Sequence, residues 1–205
     1  MPDQKKQRGD RFTIHQSMFV RSLRPVLDMP LMAMISPAQI ALLLNAYWEG
    51  IAKILPEPFD PAGNPRDYVI QQNQGVVVLH DVLPWVIEVI PAGGRSLTDP
   101  IAYADVMQDL PTLSSEIMSN HRAAPVSGAA FWLSGAAGMA SQFNGDAGRK
   151  CLFVHVRALI PVPPEGLEIQ DRLLGQGCRG PQLLGRPDNR TIFPDGSRKA
   201  QSRTP

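Results

Sequence analysis

The side chains best suited to acid–base or metal chemistry in this 205-residue chain are its four histidines, His15, His80, His121 and His155. They stand on four different segments. None falls at a spacing such as H-E-x-x-H, which sets two imidazoles on one helix face to share a metal. His80, Asp81 and His155 would form an acid–base site only if folding brought them into one pocket. The two cysteines, Cys151 and Cys178, lie far apart with no C-x-x-C pair, so neither a zinc ribbon nor a redox dithiol is indicated. No G-x-S-x-G nucleophile elbow occurs. The sequence therefore offers no catalytic residue, no metal ligand set and no cofactor motif.

Gly135 to Gly148 is a run of small residues followed by Arg149 and Lys150. Small residues let backbone amides approach an anion, and a following helix N-terminus adds a positive dipole. The run lacks G-x-x-x-x-G-K-[ST], so a nucleotide-triphosphate loop is not expected. A flexible Gly/Ala connector carrying solvated cations is the plainer reading. Tyr47, Trp48, Trp85, Phe131 and Trp132 could stack on bases, but aromatics at helical spacing beside Leu and Ile are usually core.

The formal net charge is +1, which gives no overall pull toward nucleic acid or anionic membrane. Any phosphate contact must be local. Residues 1–25 carry Lys5, Lys6, Arg8, Arg11, Arg21 and Arg24 against only Asp3 and Asp10. The candidate nucleic-acid contacts are Arg21, Arg24, Arg149 and Lys150. The competing interpretation of a basic end is a solvated arm.

The elements that must position these groups read as helices. Met18, Phe19, Leu23 and Val26-Leu27 suggest an amphipathic helix over 14–27, interrupted at Pro25. Ser36 is an N-cap candidate with Pro37 in the first helical position. Ile40, Leu43, Leu44, Tyr47, Ile51, Ile54 and Leu55 follow on one face, and Pro56 stops the helix. Tyr68 to Ile70 reads as a short extended piece. Gly75, Leu79, Val82 or Leu83, Val86 and Ile90 predict a further helix that kinks or restarts at Pro84, while Val76–Val78 could instead be a buried strand. Thr98 is a possible cap for a helix burying Ile101, Ala104, Met107 and Leu110. Lys150 to Ile160 predicts the last helix, through Leu152, Val156 and Leu159.

The expected fold is mainly α, a small irregular helical bundle with Pro/Gly-rich loops and disordered ends. Twenty prolines and seventeen glycines punctuate it. The expected divisions are a disordered basic arm over 1–12, a helical domain over 13–164, and an irregular tail over 165–205 where periodicity disappears. The polar start and the shortness of apolar runs such as Val76–Leu79 argue against a signal segment or a membrane span, which makes the cytoplasm the expected location.

Ser36-Pro-Ala-Gln-Ile-Ala-Leu-Leu-Leu-Asn-Ala-Tyr-Trp48, Leu55-Pro-Glu-Pro-Phe59, Asp67 to Gly75 and Leu79-His-Asp-Val-Leu83 occur in order, followed by Phe131-Trp132 and the run before Gly148-Arg149. Together these resemble the C-terminal helical part of DGQHR-domain proteins, the group that includes the DndB-like proteins of DNA phosphorothioation systems. The likeness covers roughly residues 12–161. The Asp-Gly-Gln-His-Arg signature is absent here; in the family it lies upstream, in an α/β core resembling the ParB-like fold. The resemblance implies a truncated or short relative, a non-catalytic module tied to DNA modification or phage defence. Its partners would be DNA or a protein supplying the missing core. Two alternatives remain: an enzyme built from scattered residues, or a fragment without independent function that exposes apolar surface around Ile40, Leu44 or Val78.

Overall fold

The computed structural model describes residues 14–113 and 126–161. Among them the fold is mainly helical, a small irregular bundle with six α-helices and no strand. The expected arm over 1–12 and tail over 165–205 lie outside the described residues, as do His121 and Cys178.

The first helical stretch divides into α1 (Gln16–Ser22) and α2 (Arg24–Leu27), broken at Leu23. Pro25 sits in the first turn of α2, where a missing N–H costs nothing. Helix α3 (Pro37–Ile54) begins as expected. The Ser36 hydroxyl accepts from the Gln39 N–H at 3.3 Å, and the Gln39 amide oxygen accepts from the Ser36 N–H at 2.8 Å. This capping box satisfies two orphan donors at once. Leu43, Tyr47, Ile51 and Leu55 are buried, while Ile40, Leu44 and Ile54 lie half-buried at the edge of the stripe.

Asn73–Ala92 forms one helix, α4, straight through Val76–Val78 and Pro84, so the buried strand is not adopted. Ten of its residues are buried, and α4 packs on α1, α2, α5 and α6. Burial on several sides outweighs the roughly 3 kcal/mol cost of an interior proline. By length and mean hydropathy (1.6) α4 could cross a membrane, yet here its apolar face is spent on the protein's own elements. Tyr68 is extended and bridges Leu133, but Val69–Gln71 turns into a single 3₁₀ turn instead of continuing.

Two expectations are displaced by a residue or more. Helix α5 (Pro100–Val106) is capped by Asp99, whose carboxylate accepts from the Ile101 N–H at 2.9 Å, not by Thr98. The cap must directly precede the first helical residue, and Pro100 fixes where that is. The buried stripe is accordingly Ala102, Tyr103, Met107 and Leu110, with Ile101 facing out and Ala104 half-buried. Helix α6 (Gly145–Ala158) starts ahead of Lys150, so part of the Gly/Ala run is helical.

One hydrophobic core runs from Val26 to Ile160 and includes Phe131, Trp132 and Phe143. Helix α3 packs across α5, and the Tyr47 hydroxyl donates to the Leu79 carbonyl of α4 at 2.7 Å. The apolar surface expected of a bare fragment is not at Val78, which is fully buried. Among the described residues the large exposed apolar side chains are Val20, Leu27, Met34, Leu42 and Ile101, on five different elements.

Candidate functional site

Helices α1 and α2 on one side and α6 on the other flank the same stretch of α4. Between them run two adjoining hollows that share Pro25, Asp81 and Arg149. The first, about 400 Å³, takes Arg21 and Arg24 from the α1–α2 side. The second, about 490 Å³, takes Lys150 from α6 and has Pro84, Trp85 and Phe153 as its apolar wall. All four cations singled out in the sequence thus line one groove.

Their charges are only loosely neutralised. Arg24 faces Asp28 at 3.6 Å and Arg149 holds Asp146 at 2.7 Å, with Arg24, Asp28 and Asp146 largely exposed. Exposed pairs of this kind contribute roughly 0–1 kcal/mol, so a phosphate can displace the carboxylates. Arg21 and Lys150 pair with no acid among the described residues. Asp81 is the acid set between the two hollows. Burial pushes its carboxyl above the usual range and the Arg149 guanidinium opposes that rise.

The Gly/Ala run that leads into α6 is tied down and is not a loose connector. The Gln74 amide donates to the carbonyls of Ala140 (3.1 Å) and Phe143 (2.6 Å), and the Ser134 N–H donates to the Asp67 carbonyl at 2.7 Å. A Cβ on Gly148 would meet the Phe143 carbonyl carbon at 2.3 Å, so the glycine there serves close packing. It is this packing that fixes the start of α6, and hence the aim of Arg149 and Lys150.

His80, Asp81 and His155 do not form one site. His80 is completely buried and lines neither hollow, and both its ring nitrogens are used. The Ser22 hydroxyl donates to the Phe19 carbonyl at 2.7 Å, which leaves its oxygen to accept from His80 Nδ1–H, also at 2.7 Å. The Trp48 indole N–H donates to His80 Nε2 at 3.3 Å. One neutral tautomer therefore satisfies the whole chain of bonds. Burial of the ring lowers its pKa to about 4. His155 lies against Phe143 with ring centroids 6.4 Å apart, and burial lowers its pKa too. His15 is exposed at the start of α1. Among the described residues no three His, Cys, Asp or Glu side chains gather to hold a metal.

No family model, no curated protein and no solved structure matches the chain. The functional reading therefore rests on the chemistry of the groove.

Of the five aromatics considered for stacking, Tyr47, Phe131 and Trp132 are core, Trp48 is half-buried against His80, and Trp85 alone lines the groove. Phe153 and Asp81 complete the groove lining without standing out as binding residues in the sequence. A signal for them did exist: Asp81 and Trp85 on α4, and Arg149 and Phe153 on α6, are each four residues apart and so share a helix face.

Proposed function

We propose that this chain is a non-catalytic helical module of DGQHR type that contacts nucleic-acid phosphates through the groove between α1–α2, α4 and α6. The observation that carries this is the convergence of Arg21, Arg24, Arg149 and Lys150, which come from two distant parts of the sequence, on two adjoining hollows that share Arg149. The family direction comes from the ordered segments between Ser36 and Arg149, and it points to DNA modification or phage defence in the cytoplasm.

Neutralising few phosphates makes binding weak and only moderately salt-dependent. Four contacts give a slope of log K against log salt of about −3.6 on duplex DNA, and two give about −1.8. A salt titration of full-length protein on labelled duplex DNA should return a slope in that range. The double variant Arg21→Glu, Lys150→Glu should flatten it and weaken binding at low salt. Both residues are exposed, so the fold should survive the change. Absence of any binding at low salt would end the nucleic-acid reading.

A further inference from the structure

The larger hollow is chemically divided, and that division specifies an occupant. One edge carries the cations Arg149 and Lys150; the wall is formed by Pro84, Trp85 and Phe153; and Asp81 supplies an acceptor beside them. The wall is rigid. The Phe153 ring lies against Trp85 at 5.5 Å between centroids, and the Arg157 guanidinium sits over the indole at 5.3 Å. A volume of about 490 Å³ is within the range of small-ligand pockets.

A bare phosphate would use the cations and leave the aromatic wall wet. A fatty acyl chain would set Asp81 against hydrocarbon, which strands an acceptor. An acidic peptide side chain brings only acceptors toward Asp81, whereas a nucleobase brings both a flat apolar face and N–H donors. Resting on the phosphate-binding reading, we infer that this hollow holds one nucleotide of a single strand. Its base packs on the wall of Pro84, Trp85 and Phe153 with an N–H toward Asp81, and its phosphate lies on Arg149 and Lys150. In a duplex the same base is stacked and paired, so the module favours unpaired strands.

The test is an anisotropy titration of the full chain with three labelled probes: a short mixed-sequence single strand, the same strand with abasic sites, and the duplex. The base-bearing strand should bind about tenfold more tightly than the abasic strand, the gain expected from stacking one base. Trp85→Leu should remove that difference and Trp85→Phe should keep most of it, with melting curves confirming that both variants fold. Lys150→Glu should weaken all three probes together, while Lys53→Gln, on α3 outside the groove lining, should change none. Equal binding of the base-bearing and abasic strands would overturn the inference and leave the phosphate reading standing. Binding of no probe would overturn both. Displacement of the strand by an acidic peptide at equal charge would reassign the groove to a protein partner and likewise overturn the inference.

Discussion

His80 and Asp81 are neighbours on α4, yet they look into two different regions of the molecule. His80 faces α1 and α3, where the Ser22 hydroxyl and the Trp48 indole N–H engage its two nitrogens, the Phe19 carbonyl accepts from Ser22, and no solvent reaches the ring. Asp81 faces the groove, where it makes no close ion pair and has Arg149 as its electrostatic counterweight. A polar group in the closed region completes a bond network, and changing it alters stability. A charge in the open region is incompletely matched, and changing it alters what the surface binds. Burial alone does not separate structural from functional polar residues; whether their partners are already present does.

The strongest challenge to this contrast is His80→Ala. The change opens a cavity beside Phe19 and Trp48 and leaves the Trp48 N–H without its acceptor. A loss of about 4 kcal/mol is expected from the cavity and the orphaned donor together. Urea unfolding measures it. A loss under about 1 kcal/mol would show that the closed region is not held by this network.

Acid sharpens the same contrast, because the two neighbours respond with opposite sign. In the unfolded chain His80 takes up a proton below about pH 6.5, but in the folded chain only below about 4. Between those values the unfolded state binds more protons, so stability falls as the pH falls. The slope is at most about 1.4 kcal/mol per pH unit, and the total loss by pH 4 is about 3 kcal/mol. His155, also lowered, adds in the same sense. Asp81 and Glu88 are raised by burial, so their protonation relieves a cost and works the other way. The clean readout is therefore the difference between wild type and His80→Gln across this range. Parallel pH profiles for the two proteins would remove His80 as the acid-sensitive group.

The two regions were unequally legible in the sequence. Helix α3 could be read because its signals are local: Ser36, Pro37 and an apolar stripe of a single period. The stripe of α4 was legible, but its type at Val76–Val78 was not. A helix buried on several sides loses the one-faced pattern that separates it from a strand. Thr98 and Asp99 can both serve as the cap of α5 by side-chain type, and only the placing of Pro100 in the first helical position selects Asp99. Arg21, Arg24, Arg149 and Lys150 stood out as charges, but their meeting depends on α1, α2 and α6 docking on one face of α4. The Ser22–His80–Trp48 network had no local signature, because its members are joined only by tertiary packing.

The smallest expected effect separates the two regions most clearly, because it nearly vanishes in stability and shows in binding. Asp81→Asn removes a partly buried charge and with it the attraction to Arg149. The two consequences nearly cancel, and thermal melting should show a change of under about 1 kcal/mol. Binding should respond differently. A carboxylate about 6 Å from a bound phosphate repels it by roughly 0.7 kcal/mol in water, so its removal should tighten single-strand binding about threefold. If Asp81 accepts an N–H from a base, the amide oxygen of Asn retains that acceptor, and the preference for the base-bearing strand over the abasic one should persist. Tightening on both strands with that preference intact would assign Asp81 the two roles of repelling phosphate and accepting from the base. Weakened binding would mean that its charge orders Arg149 for the phosphate, and that the open region is as prearranged as the closed one.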